Sequence, residues 1–136
     1  MRVRHALETA DCSLCMAAAL AHAEAQGWAV TVAIVDDNGI PLQLVRMDEA
    51  SPASVEGAIQ KARSAGLIGI DTKIQEAMVK ERPGIATMGR VAVEGGVPIR
   101  YEGQRVGGIG VSGVQSHQDA EVAGAGLEAL LASWTG

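Results

Sequence analysis

Apolar residues recur at three- to four-residue spacing from Leu7 to about Ala25. Leu7, Leu14, Ala18, Ala21 and Ala25 fall on one stripe, and Gly27 follows in the position of a C-cap glycine. That pattern predicts a first helix. The periodicity then changes. Trp28 to Val35 is a β-rich run with apolar residues at nearly every position, as in a strand covered on both faces. Asp36-Asp37-Asn38-Gly39 supplies a hairpin turn, because Asn-Gly takes up positive φ at low cost, and Ile40 to Met47 is the returning strand.

Ser51-Pro52 opens a second helix, with a capping hydroxyl followed by proline at the first helical position. Val55, Ile59 and Ala62 form its expected inner stripe, with Glu56, Gln60 and Arg63 outside. A shorter amphipathic segment runs from Asp71 to about Lys80 and stops at Arg82-Pro83-Gly84. Three strand-like pieces follow, at Ile85–Met88, Val97–Tyr101 and Arg105–Val111, with Glu102-Gly103 turning between the last two. A final helix spans about Gln118 to Trp134. Ser116 and Asp119 stand at its start, where the helix dipole favours an acid. No linker or internal repeat interrupts the 136 residues, so one domain over 1–136 is expected. Strands joined by tight turns predict an α+β fold. Its antiparallel sheet would have about five strands, with helices over both faces.

Composition narrows the function. With no Phe, one Tyr and two Trp, the core must be built from Ala, Val, Ile, Leu and Met, with glycine where backbones approach. Eleven basic against sixteen acidic side chains give a net charge of −5, and no window concentrates Lys and Arg. Nucleic-acid binding is therefore not expected: the chain lacks both a phosphate-tracking surface and base-stacking platforms. No apolar run approaches membrane-spanning length, and the N-terminal stretch lacks the apolar core of a signal peptide. The expected location is the cytoplasm, where Cys12 and Cys15 would stay as free thiols.

Two motifs match known signatures to the letter and fail in context. Cys12-Ser13-Leu14-Cys15 is a C-x-x-C, yet both cysteines lie inside the first helix rather than at the N-terminus of a helix following a strand. They read as small buried thiols. Gly108-Ile109-Gly110-Val111-Ser112-Gly113 matches G-x-G-x-x-G, but a helix follows it instead of a second strand carrying an acid. What remains is a strand almost without side chains, which a helix or a planar ligand can approach closely. Ser112 and Gly113 lead from it to a helix start, where amides can hold a carboxylate.

The other candidates are single residues. His5, His22 and His117 are too dispersed for a metal signature, so no metal is expected. His117 stands where the last helix begins. Lys61 adjoins the predicted inner stripe of the second helix, and Arg46 ends the strand before it. Two cations there would suit a ligand carboxylate, while a solvated salt bridge with Asp48 is the plain alternative. Met88 lies between glycines and beside Arg90.

Taken together, several stretches resemble the GlcG/HbpS-like family, which also includes the C-terminal part of some PduO proteins. They are Val35-Asp36-Asp37-Asn38-Gly39, Arg46-Met47-Asp48, Ser54, Ala58, Lys61-Ala62 and Gly95-Gly96-Val97-Pro98-Ile99. Val106 to Gly113, Gln118-Asp119 and Ala123 to Gly126 complete the set. The resemblance implies a profilin-like three-layer α/β/α domain, assembled into homo-oligomers. Some members bind haem and others belong to catabolic operons. The segment Arg82 to Val93 departs most from the family pattern.

Three readings stay open, the last of them a structural subunit with no small ligand. The first is a cytoplasmic, oligomeric protein that binds haem or another planar carboxylated molecule. Its pocket would lie between the glycine-rich strand, the Gly95-Gly96 turn and the helix carrying Lys61. Arg46, Lys61, Met88, Gly96, Gly110, Ser112, Gly113 and His117 would be its binding residues. The second is a small cofactor-independent enzyme acting on an organic acid or an aromatic intermediate. There Lys61, Arg46 and His117 would supply anion binding and proton transfer, with Lys61 and His117 as the catalytic candidates.

Overall fold

The computed structural model describes residues 1–135. Its elements run α1 (Thr9–Gln26), β1 (Thr31–Asp36), β2 (Pro41–Arg46), α2 (Ala53–Ile68), α3 (Thr72–Glu81), a 3-10 turn (Pro83–Met88), β3 (Gly96–Tyr101), β4 (Gln104–Ser112) and α4 (Ser116–Thr135). Local chemistry sets most of these boundaries. Asp11 accepts the Glu8 backbone N–H at 2.8 Å to start α1, and Gly27, at φ 75°, ends it. The hairpin turns where expected: Asp36 accepts the N–H groups of Asn38 and Ile40.

The described strands form a single antiparallel sheet in the order β2-β1-β4-β3. Four strands form it, rather than about five. Ile85–Met88, read as a strand, is part of the 3-10 turn. Pro83 pre-sets the turn, Gly89 closes it at φ 74°, and the Thr87 hydroxyl donates back to the Gly84 carbonyl at 2.7 Å. So few residues between two breakers leave no length for a ladder.

Register divides the core between the two faces. Val32 pairs with Val111, Ile34 with Ile109, and Val97 with Ile109, so these side chains share one face. They meet Cys12, Cys15, Met16, Ala19 and Ala23 of α1, and Val122, Ala123 and Leu130 of α4. On the opposite face Ala33 pairs with Gly110 and Val35 with Gly108, beneath Ala58 and Ala62 of α2. β1 is buried from Thr31 to Val35 because helices cover both its faces. The result is three layers, with α1 and α4 below the sheet and α2 above it.

The inner stripe of α2 differs from the expected one. Ser54, Ala58, Lys61, Ala62, Ser64, Ala65 and Gly66 are buried, whereas Val55 and Ile59 are only half-buried. Closeness explains the difference. A Cβ placed on Gly110 would run into the Ala58 carbonyl oxygen and the Ala62 amide nitrogen, and one on Gly108 into the Ala62 carbonyl. Only small residues fit where the backbones of α2 and β4 touch, so the branched side chains are displaced to the flanks.

Candidate functional site

The tight α2–β4 contact bears directly on the pocket expected beside the glycine-rich strand. Helix backbone fills that space. Gly96 is pressed against the Lys61 carbonyl, and Thr72 accepts its N–H at 2.8 Å. Gly113, exposed and at φ 141°, lies against the Ala29 carbonyl. Ser112 ends β4 opposite Thr31, next to Gly57 of α2.

Lys61 lies not at a boundary but inside, at 5% exposure. Its Nζ donates to the Val111 carbonyl and to Asp119 Oδ2, each at 3.0 Å. Asp119 uses its other oxygen to accept the Val114 N–H at 3.2 Å. The lysine thus ties α2 to the end of β4 and the first turn of α4. Burial pushes the Asp119 carboxyl up from its ordinary range, with Lys61 pulling it back.

Arg46 does not join Lys61. Its side chain is turned to the Ala50 carbonyl, which its Nε reaches at 3.0 Å. It lines a hollow of about 540 Å³ with Trp28 and Met47, where Glu24, Asp48 and Glu49 also stand. Those three acids oppose a carboxylated ligand. His117 is exposed in the first turn of α4, and Lys61 bonds to Asp119 rather than to it, so the proton-transfer pair is not assembled. Cys12 and Cys15 are buried, free thiols, and burial pushes Cys15 up to about 12. Both belong to the core that α1 shares with α4, and they act there as small packing residues.

Of the expected residues, Met88 is the one that lies on a cation-rich surface. It is 67% exposed at the end of the 3-10 turn. It lines a cleft of about 250 Å³ between that turn and α2, together with Arg63, Ser64, Leu67, Ile68 and Arg90. A second hollow, about 460 Å³, adjoins it through the shared Met88 and is lined by Arg82, Pro83, Gly84 and Ile85. Among the described residues lining either space, none is acidic. The Arg63 guanidinium is steadied by its Nε bond to the Gly39 carbonyl at 2.9 Å, leaving its terminal nitrogens free to act. The Arg90 Nε is buried and has no hydrogen-bond partner among the described residues. A buried donor without an acceptor is costly, and this one is too enclosed for a ligand to reach, so any contact to a bound anion falls to the rest of the guanidinium.

This makes an apolar shelf of Leu67, Ile68, Ile85 and Met88 with arginines around it. It can take a flat apolar body whose carboxylates reach guanidinium groups in paired bonds. The residues suit a carboxylated group with a flat apolar body. Sequence reasoning missed Arg63, Arg82 and Arg90, having placed Arg63 on an outward face and Arg82 in a helix stop. One signal did point here: Met88 and Arg90 fall within Arg82 to Val93, the segment least like the family pattern.

Comparison with known proteins agrees with this fold. A family model described as haem degrading protein HbpS-like matches residues 7–128. The protein GlcG of Escherichia coli K12 is 37% identical over 114 residues, covering 82% of this chain and 85% of GlcG. A crystal structure of a double mutant of Streptomyces reticuli HbpS superimposes with a TM-score of 0.89 at 31% identity, over 94% of this chain and 89% of that one. The crystal structure of a PduOC:haem complex matches with a TM-score of 0.84 at 30% identity, over 92% of this chain and 95% of its own. On sequence and architecture together, the chain belongs to the HbpS-like family, the same family that its glycine-rich strand and hairpin motifs resemble.

Proposed function

We propose that this protein binds haem, or another planar molecule bearing carboxylates, in the arginine-rimmed cleft between α2 and the 3-10 turn. The observation that carries the reading is that Arg63 and Arg90 line one cleft beside Leu67, Ile68 and Met88, with no acidic residue among the described residues around it. Arg63, Arg82 and Arg90 would hold the carboxylates, and Leu67, Ile68, Ile85 and Met88 the apolar face. Haem bound there would supply redox chemistry at its iron; the protein supplies binding and orientation. Relatives support the choice of ligand, since PduOC has been crystallised as a haem complex and the family model names haem.

The protein works as a homo-oligomer in the cytoplasm. Two free cysteines suit a reducing compartment, and Ile40, Leu42 and Leu44, all exposed on or beside the edge strand β2, offer a face for association. No helix among the described residues is long and apolar enough to cross a membrane.

Haemin titration followed at the Soret band tests the reading. A saturable shift is expected for the wild-type protein. Arg90→Gln should weaken binding roughly tenfold or more, the loss of one charge-assisted hydrogen bond of about 1.5–3 kcal/mol, with an unchanged far-UV spectrum. A flat titration, or equal affinity in the variant, would overturn the assignment.

A further inference from the structure

A further pocket, opposite in character to the arginine-rimmed cleft, lies between the N-terminal segment, the end of β3 and the end of α4. It measures about 230 Å³. Tyr101 and Trp134 meet there edge to face, with centroids 5.2 Å apart, and His5 stacks its edge against Tyr101 at 4.6 Å. The chain has no Phe and only three Tyr and Trp residues, so two of those three converge on this one space. Glu8 and Asp11 bring two carboxylates to it, and among the described residues lining it there is no Lys or Arg. Trp134 donates its indole N–H to Asp11 Oδ1 at 3.1 Å. That bond fixes the ring, and a carboxylate acceptor enriches the π-face in electrons.

We propose that this pocket binds a small alkylated ammonium ion, held by the aromatic faces and the two carboxylates. The aromatic and carboxylate walls favour a cation, and Ala6, Leu7 and Val106 suit its alkyl groups. Aromatic faces attract one through the ring quadrupole, most strongly at Trp, and weak hydration of an alkylated ammonium lowers the cost of entry. Glu8 and Asp11 make internal bonds at the start of α1, but a carboxylate has lone pairs beyond those it uses there. The site is independent of the arginine-rimmed cleft, which selects the opposite charge.

Trp134 is its own reporter once Trp28, which lines a different hollow, is changed to Phe. Tetramethylammonium chloride is titrated into the Trp28→Phe protein, with sodium chloride at matched ionic strength and the neutral tert-butanol as controls. A saturable change in Trp134 emission is expected with tetramethylammonium alone. Glu8→Gln should weaken it several-fold. Tyr101→Leu, which leaves the helix cap intact, should abolish it, and decides the matter if Glu8→Gln fails to fold. No saturable change, an equal response to tert-butanol, or full affinity in Tyr101→Leu would overturn the proposal.

Discussion

Replacing Lys61 with methionine would remove a charge from a place water does not reach. The change leaves Asp119 buried and without its cation, and breaking one side of a buried pair costs about 3–5 kcal/mol. Denaturant unfolding of Lys61→Met at neutral pH should show a loss of that order, while haemin affinity stays as in wild type. The pH dependence has a definite sign. Without Lys61 the Asp119 carboxyl rises further, so its native pKa lies above its unfolded one. Such a group costs stability as pH rises through its native pKa and costs none once protonated in both states. The deficit of the variant should therefore narrow on acidification. A stable variant with weakened haemin binding would return Lys61 to the ligand site. The sequence marks Lys61 as a cation beside an apolar stripe, and no more. Its partner lies 58 positions away on another helix, a distance that periodicity within α2 cannot bridge. Arg90 is obscure for a related reason: Arg63, which lines the same cleft, stands on another element far back in the chain.

Elements were easier to read than residues. The helices α1 and α4, the hairpin of β1 and β2, and the β3–β4 turn follow from spacing and from Gly27, Asn38-Gly39 and Glu102-Gly103. The 3-10 turn was not legible, because four apolar or small residues between Pro-Gly and Gly satisfy strand and turn alike. The glycines of β4 signal a close approach without saying what approaches, and the answer is the backbone of α2. Gly110→Ala tests that contact. Its Cβ meets backbone atoms of Ala58 and Ala62, which cannot rotate away, so the helix itself must shift. The expected cost is about 1–3 kcal/mol by chemical denaturation, the usual range for overpacking. Stability equal to wild type would show that α2 does not rest on the strand there.

At the scale of the whole molecule, the net charge of −5 hides a division of labour. Arginines gather at the 3-10 turn, while acids line the hollow beside Arg46 and the aromatic pocket. Ile40, Leu42 and Leu44 leave apolar area uncovered on or beside an edge strand, and light scattering at micromolar concentration should return at least a dimer. A monomer there would contradict the oligomer. The proposed ligand site rests on one contact: the arginines of the cleft are to hold the carboxylates of a flat ligand. Protoporphyrin IX and its dimethyl ester share the same apolar plane and differ only in those groups. Their affinities, measured side by side by porphyrin fluorescence, should differ by about tenfold or more in favour of the free acid, since each ester removes a charge-assisted bond to a guanidinium. Equal affinity for acid and ester would mean that the arginines do not bind the ligand.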